Sequence, residues 1–374
     1  MRTRVIALCR GQLESACGPL SAIRSLGRLN LDVLCICSTC LPETRAELET
    51  VGIRVEPVLP DLRFANTLLG KIEHYHAFRR RAWRLVGKED PDALLWVAKI
   101  DTAMALGKRL LEKRYVLTLQ ELHDKYRFYQ KAIRLYASHA GAVVVPEYCR
   151  ANILRCWHGL NRTPFVLPNK PLVRSGEKHL FVSDANARSI LESIPDGNRI
   201  LLYQGAVTFD RDLGAVARAV QELGEGYRFV IMGPDRTGDL TRLREMCPPL
   251  VHIPWVRPPA HLEITSHAHV GIAFYKFDSL NSIFCAPNKI WEYSAFGVPT
   301  LCQDIPGLRY TIGTAGAGVC VDSQSVDAII SAVRIIEANY SVHSQRAREF
   351  YESVDTTDVV GRIIDHTTHG GPHC

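Results

Sequence analysis

Two side chains three residues apart open the chemical reading of this chain. Lys289 and Glu292 lie in the stretch NSIFCAPNKIWEYSAFGVPT, residues 281–300. The pattern predicts a loop, then a helix, then a strand. Pro287 suits a first helical turn because it lacks the N–H that the turn leaves unpaired. Gly297 suits the positive-φ stop after Phe296. Residues at i and i+3 project near one helix face. A helix start favours phosphate, Lys289 adds a cation, and a glutamate can accept from both hydroxyls of a ribose. That combination suits a nucleoside diphosphate. A capped surface helix with an ordinary i, i+3 ion pair would look the same.

A second set of candidates follows strand-like segments of the N-terminal half. Gly11 follows the first apolar run, but RGQLESACGP is not the GxGxxG of a dinucleotide site. Asp101 ends WVAKID and suits either chemistry or a helix N-cap. Gln120, Glu121 and His123 follow another apolar run, where an acid and a histidine could do acid–base work or remain solvated. Cys37 and Cys40 have CxxC spacing without a second pair, a weak signal for redox or zinc chemistry. The tail HTTHGGPHC reads as a frayed terminus rather than a metal site.

Parallel sheets present such loop residues, and the chain has the matching pattern. In residues 1–170, apolar runs at 5–9, 31–37, 53–58, 93–97, 115–119, 142–145 and 164–167 alternate with helical patterns at 21–29, 64–86, 102–113, 125–138 and 147–157. After the polar, proline-containing linker at 168–176, a second series follows. Its strands are at 199–204, 228–232, 251–254, 270–274, 299–302 and 318–321. Its helices are at 185–193, 213–223, 239–246, 260–267, 288–296 and 325–338. Alternation of this kind predicts α/β domains with doubly wound parallel sheets, which bind ligands beyond the carboxyl ends of the strands. The expected domains are 1–170 and 171–355, with a C-terminal helix and tail at 356–374.

A chain of 374 residues with 47% hydrophobic and 22% charged content suits two soluble globular domains. No apolar run approaches the ~18 residues of a membrane span, and no signal peptide is visible, which points to the cytoplasm. The net charge of +6 fits an anionic ligand or surface and does not demand nucleic acid. The twelve cysteines, mostly in apolar segments, read as reduced core thiols. Residues 71–88, KIEHYHAFRRRAWRLVGK, carry six Lys/Arg against Glu73 alone, with Tyr75, Phe78, Trp83 and Val86 interleaved. They suit peripheral contact with the inner face of a membrane, or a sheet-covering helix with a basic outer face.

Four motifs of the second half, taken together, carry a resemblance: LLYQGAVTFDRDL (201–213), FVIMGPD (229–235), VHIPWVRPPAHL (251–262) and PNKIWEYSAFGVPTL (287–301). In order and spacing the series resembles the retaining GT-B glycosyltransferases of family 4, in a subgroup with P-N-K-x-x-E-Y. In the first half the resemblance is confined to the strand pattern, Asp101, the QEL segment, VVVPEYCR and LPN.

The resemblance implies two Rossmann-like domains facing a cleft. It implies a hexosyl transfer from a nucleotide sugar, UDP-linked first and GDP-linked second, with no metal or cofactor. Arg211 and Lys289 would neutralise the donor diphosphate, and Gly205 and Gly233 would let the chain pass close to it. Glu292 would take the ribose, Trp255 and Val256 the base, and Asn288 and Ile290 would add contacts. Gly11, Asp101, Gln120, Glu121 and His123 would serve the acceptor side. That acceptor would be a surface-polysaccharide or lipid-linked precursor, or a small molecule. Phe284 stands where many members carry a first glutamate, and Ala206 where they carry an arginine. Gln120 holds the place of a usual histidine. A nucleotide-sugar epimerase and a silent nucleotide-sugar binder are the alternatives.

Overall fold

The computed structural model describes residues 3–15, 17–59, 67–173, 175–208 and 212–369. The chain forms two compact units, Met1–Lys170 with Asp355–Cys374, and Pro171–Val354.

The first unit holds seven strands: β1 (Arg4–Gln12), β2 (Asp32–Thr39), β3 (Ile53–Pro57), β4 (Leu94–Ala98), β5 (Tyr115–Thr118), β6 (Ala142–Val145) and β7 (Phe165–Val166). All are parallel, in the order β3-β2-β1-β4-β5-β6-β7. Val5 to Cys9 are fully buried because helices cover both faces of such a sheet. The helices are α1 (Cys17–Arg28), α2 (Pro42–Thr50), α3 (Leu68–Val86), α4 (Ile100–Leu106), α5 (Arg127–His139) and α6 (Tyr148–His158).

Helix α2 has no counterpart among the sequence expectations. PETRAELET is polar nearly throughout and buries only Thr44 and Leu48, so it lacks an apolar stripe. The expected helix 102–113 is broken at Gly107, whose φ of 73° ends α4 before a 3₁₀ turn. The expected start at 64–66 lies outside the described residues, as do residues 370–374 of the tail.

Helix α3 resolves the basic segment. Phe78, Ala82, Trp83 and Val86 are buried, and the Trp83 indole N–H donates to the Leu106 carbonyl at 2.9 Å. Arg80, Arg81, Arg84 and Lys88 lie on the exposed side. Phe78, Trp83 and Val86 are therefore core residues and do not reach a membrane. With Ala82 they fall at i, i+4, i+5 and i+8, the stripe of one helix face turned to a sheet.

The second unit holds β8 (Arg199–Gln204), β9 (Tyr227–Met232), β10 (Val251–Ile253), β11 (Val270–Ala273), β12 (Thr300–Gln303) and β13 (Gly318–Val321), parallel in the order β10-β9-β8-β11-β12-β13. Its helices are α7 (Ala185–Glu192), α8 (Gly214–Leu223), α9 (Asp239–Met246), α10 (His261–Thr265), α11 (Leu280–Ile283), α12 (Asn288–Ala295), α13 (Pro306–Leu308), α14 (Val326–Ala338) and α15 (Tyr340–Glu352). The final helix α16 (Thr356–His369) belongs to the first unit and packs on α1, with the Ser25 and Thr356 hydroxyls 3.2 Å apart.

Among the described residues Cys9, Cys35, Cys37, Cys40, Cys149, Cys156, Cys247, Cys302 and Cys320 carry free thiols. The thiols of Cys37 and Cys40 are both held above their ordinary range, Cys37 mainly by Cys35 and Cys40 mainly by Cys37. Neither is the low-pKa thiolate that redox work uses. Among the described residues no group of three or more His, Cys, Asp or Glu is placed to hold a metal ion. No described helix is long and apolar enough to cross a membrane.

Candidate functional site

In each sheet the strand order reverses once, between β1 and β4 in the first unit and between β8 and β11 in the second. Such a reversal opens a crevice at the carboxyl ends of the two strands.

At the β8/β11 reversal, β8 ends in Gln204 and the chain turns through Gly205 at φ 143°. β9 ends in Met232 and turns through Gly233 at φ 147°. These values favour glycine, and at Gly233 a Cβ would also lie 2.1 Å from the Gly205 carbonyl oxygen. Two backbone turns thus stack directly, and the Gly205 N–H donates to Met232 O at 2.8 Å. Beyond them Val207 bridges to Asp235. Arg211 itself lies outside the described residues.

Helix α12 brings the motif residues to this place. Pro287 takes the N-cap position in extended backbone, one residue ahead of the expected first turn, and Gly297 at φ 61° follows the end. Tyr293 anchors the helix. Its ring fills the space that a side chain at Gly271 would need, with a Cβ there only 2.3 Å away. Its hydroxyl donates to Leu202 O at 2.8 Å and accepts from the Gln204 N–H at 3.2 Å. The Lys289 ammonium then sits 4.2 Å from the Tyr203 ring centre and 5.5 Å from that of Tyr275. It is also 3.5 Å from where a Cβ on Gly205 would stand. Aromatic faces attract a cation and fix its place.

Glu292 is buried, and a buried carboxylate must be hydrogen-bonded. Its Oε2 accepts from the Gln204 amide, and its Oε1 lies 3.3 Å from His261 Nε2. Gln204 Oε1 in turn accepts from the Thr265 hydroxyl at 2.8 Å. Sequence reasoning passed over Gln204, His261, Thr265 and Tyr203. Gln204, Tyr203 and His261 stand inside quoted motifs, but nothing in their spacing links them to residues 289 and 292.

The remaining donor-side candidates divide. Trp255 is exposed, whereas Val256 is buried. Ile290 is buried among Cys285, Ile305 and Leu308, so its side chain is structural and only its backbone is left for a ligand. Asn288 is half-buried at the start of α12.

At the β1/β4 reversal, Gly11 has φ 119° and faces open space, with its N–H donating to Ser38 Oγ at 2.9 Å. Asp101 does not cap α4. The cap position is Lys99, at φ 67° and without a side-chain cap bond. Asp101 instead accepts from the Tyr129 hydroxyl at 2.9 Å. His123 stacks on the Tyr129 ring at 4.2 Å and has its pKa lowered, chiefly by burial, against the opposing charges of Glu121 and Asp101. Tyr129 is pushed up to about 12 by burial and then by Asp101.

Glu121 turns to Arg150, 3.6 Å away, and the Gln120 carbonyl accepts from the same guanidinium. The structure therefore gathers Asp101 and His123 around Tyr129 and draws Gln120 and Glu121 to Arg150. Arg10, with its guanidinium 5.3 Å from the Tyr75 ring centre, joins this edge without any sequence signal.

No protein-family model and no curated protein sequence matches the chain. Solved structures do resemble it. HepE of Anabaena, in a structure with UDP and glucose, superposes with a TM-score of 0.71 at 11% identity, covering 97% of this chain and 99% of HepE. Sucrose-phosphate synthase from Thermosynechococcus elongatus gives 0.64 at 16% identity, over 98% and 100%. WaaG, a glycosyltransferase involved in lipopolysaccharide biosynthesis, gives 0.63 at 14% identity, over 98% and 100%. The two α/β units therefore have the fold of the GT-B glycosyltransferases.

Proposed function

We propose that the chain is a glycosyltransferase that takes a sugar from a nucleotide-sugar donor, UDP-linked, to an acceptor hydroxyl. The observation that carries this is the placement of Lys289 against Gly205 with Glu292 one turn further on: a cation beside a close-approach glycine, then a buried carboxylate. The GT-B fold and the UDP and glucose in the HepE structure support the same reading. Its assignment to family 4, and with it retention of configuration, rests on the P-N-K-x-x-E-Y motif.

Breaking a sugar–phosphate bond leaves negative charge on the departing diphosphate. Lys289, joined by Arg211, neutralises that charge, and fixed cations of this kind lower a barrier without reorganising at the moment of reaction. Gly205 and Gly233 let the diphosphate approach main chain, Glu292 accepts from the ribose, and exposed Trp255 offers a face to the base. No metal is needed for this chemistry.

The first unit's β1/β4 edge receives the acceptor. Asp101, held by Tyr129, orients the acceptor hydroxyl beside His123. The acceptor is a glycan precursor, lipid-linked or soluble, or a small molecule. Peripheral attachment to an anionic membrane would use the exposed arginines of α3 and be electrostatic.

The test is a thermal-shift screen of nucleotides and nucleotide sugars, followed by turnover of each binder with and without sugar acceptors. Binding to the native state raises the melting point. UDP and one UDP-sugar should raise it, and EDTA should leave turnover unchanged. A screen in which no nucleotide shifts the protein would overturn the proposal.

A further inference from the structure

The carboxylate of Glu292 is held from two sides by groups on different elements, and the way it is held leaves a defect in the fold. Thr265 on α10 is fully buried, and its hydroxyl lies 2.8 Å from Gln204 Oε1 and 3.1 Å from the His261 carbonyl oxygen. An ionised carboxylate only accepts, so the Gln204 amide turns its NH₂ to Glu292 Oε2 and its Oε1 to the Thr265 hydroxyl. On the other side, His261 Nε2 stands 3.3 Å from Oε1. For Nε2 to donate, the ring must carry a proton there. Nδ1 is buried and has no hydrogen-bond partner among the described residues. A histidine with one nitrogen satisfied and the other bare is a poor choice for stability, since an orphaned buried polar atom costs free energy. The residue is explained if its service is to the carboxylate.

We infer that His261 and Gln204 are positioning residues that clamp Glu292 as a two-point acceptor for the ribose hydroxyls of the donor. An ionised carboxylate offers about four lone-pair sites on two oxygens. One donor on each oxygen fixes the plane of the group and leaves one further site on each. Two such sites on one carboxylate match a vicinal diol and fit poorly to a sugar that lacks one of the two hydroxyls. The clamp would therefore decide ribonucleotide over 2′-deoxyribonucleotide, because a site built for a hydroxyl rejects an analogue that leaves its polar groups unpaired. This rests on the reading of Glu292 as the ribose acceptor.

The experiment uses the full chain and titration calorimetry with UDP and 2′-deoxy-UDP, beside the melting temperature of each variant. Wild type should bind UDP at least tenfold more tightly than 2′-deoxy-UDP. His261→Leu should lose most of that preference by weakening UDP alone, with a melting temperature unchanged or raised. His261→Gln, whose amide can still donate, should keep much of it. Thr265→Val, which conserves volume but frees the Gln204 amide, should also narrow the ratio, and it stands in should His261→Leu fail to fold. With a UDP-sugar the His261→Leu loss should fall on KM rather than kcat, as expected for binding common to ground and transition states.

If wild type binds both nucleotides equally, or neither, the ribose role of Glu292 fails and this inference with it. If wild type discriminates and both His261→Leu and Thr265→Val discriminate equally well, the clamp is wrong while the donor site stands. A large drop in melting temperature for His261→Leu with an unchanged ratio would make His261 structural and overturn the inference.

Discussion

At the β8/β11 reversal of the second unit the carboxylate of Glu292 is buried and held by an amide and an imidazole, whereas at the β1/β4 reversal of the first the half-buried Asp101 is held by a tyrosine hydroxyl. Glu292 is bound by Gln204 and His261, and Lys289 is caught between Tyr203 and Tyr275. Asp101 and His123 share Tyr129, and Arg10 lies over Tyr75. The glycines differ too. Gly233 is wedged against the Gly205 carbonyl, and Gly11 has nothing within 4 Å of where a side chain would start. The same sheet reversal thus yields a tightly pinned edge in one unit and a more open one in the other. The pinned edge suits the invariant parts of a donor, its diphosphate and ribose, and the open one suits a variable acceptor.

The largest test of this contrast removes one charge from each edge. Lys289→Ala should cost about 2–4 kcal/mol of transition-state stabilisation, roughly 30- to 1,000-fold in kcat/KM, with the fold intact. Asp101→Ala should cost less and fall on the KM of the acceptor. Equal losses in donor affinity from both would erase the distinction between the edges.

Glycine replacement sharpens it. Gly233→Ala places a Cβ 2.1 Å from a backbone oxygen at φ 147°, so one of the two stacked turns must move. We expect about 3 kcal/mol lost in chemical denaturation, together with weakened nucleotide binding. Gly11→Ala meets no atom and should cost only the strain of its φ, about 1–2 kcal/mol, with donor binding untouched.

Titration gives a smaller effect. His269, before β11 in the second unit, is brought down to about 4, first by burial and then by Lys178 and Arg199. Its folded pKa is depressed, so the unfolded chain binds the proton more readily. Its contribution to stability is present above pH 6.5 and lost as pH falls towards 4. After allowance for its partial exposure we expect ~1–2 kcal/mol, visible as a pH slope that His269→Gln flattens. His123, also depressed, should act in the same direction and more weakly. It stands at the candidate site, so its titration should be read in acceptor KM as well as in stability.

The smallest effect concerns the outer face of α3. Arg80→Gln with Arg84→Gln should weaken binding to anionic vesicles at low salt and make no difference at high salt. Trp83 fluorescence should not shift on vesicle addition, since that ring is in the core.

Much of this molecule is legible in its residue order. Val5–Cys9 and Leu201–Gln204 announce buried parallel strands because a continuous apolar run covered on both faces has few alternatives. Pro287 and Gly297 bracket α12 within a residue, since each is chosen for its own φ. Helix α2 was silent because its burial is slight, and the break at Gly107 was hidden in an otherwise helical pattern. The Ile290 side chain turns to the core while Lys289 does not, because neighbouring positions lie about 100° apart round a helix, and adjacency in the chain does not show this. Glu121 was grouped with His123 by adjacency, yet Arg150, twenty-nine positions away and buried, draws it aside.

Local chemistry, then, determined the strands, the helix that bears Lys289 and Glu292, and the glycines at the strand ends, because φ preferences and hydrophobic period act within a few residues. Only the folded chain decided who holds whom. His261 reaches Glu292 across thirty-one positions and Gln204 across eighty-eight, and Gly233 is explained only by the carbonyl of Gly205. Those partners are set by sheet order and helix packing, where separation along the chain carries no information about distance in space.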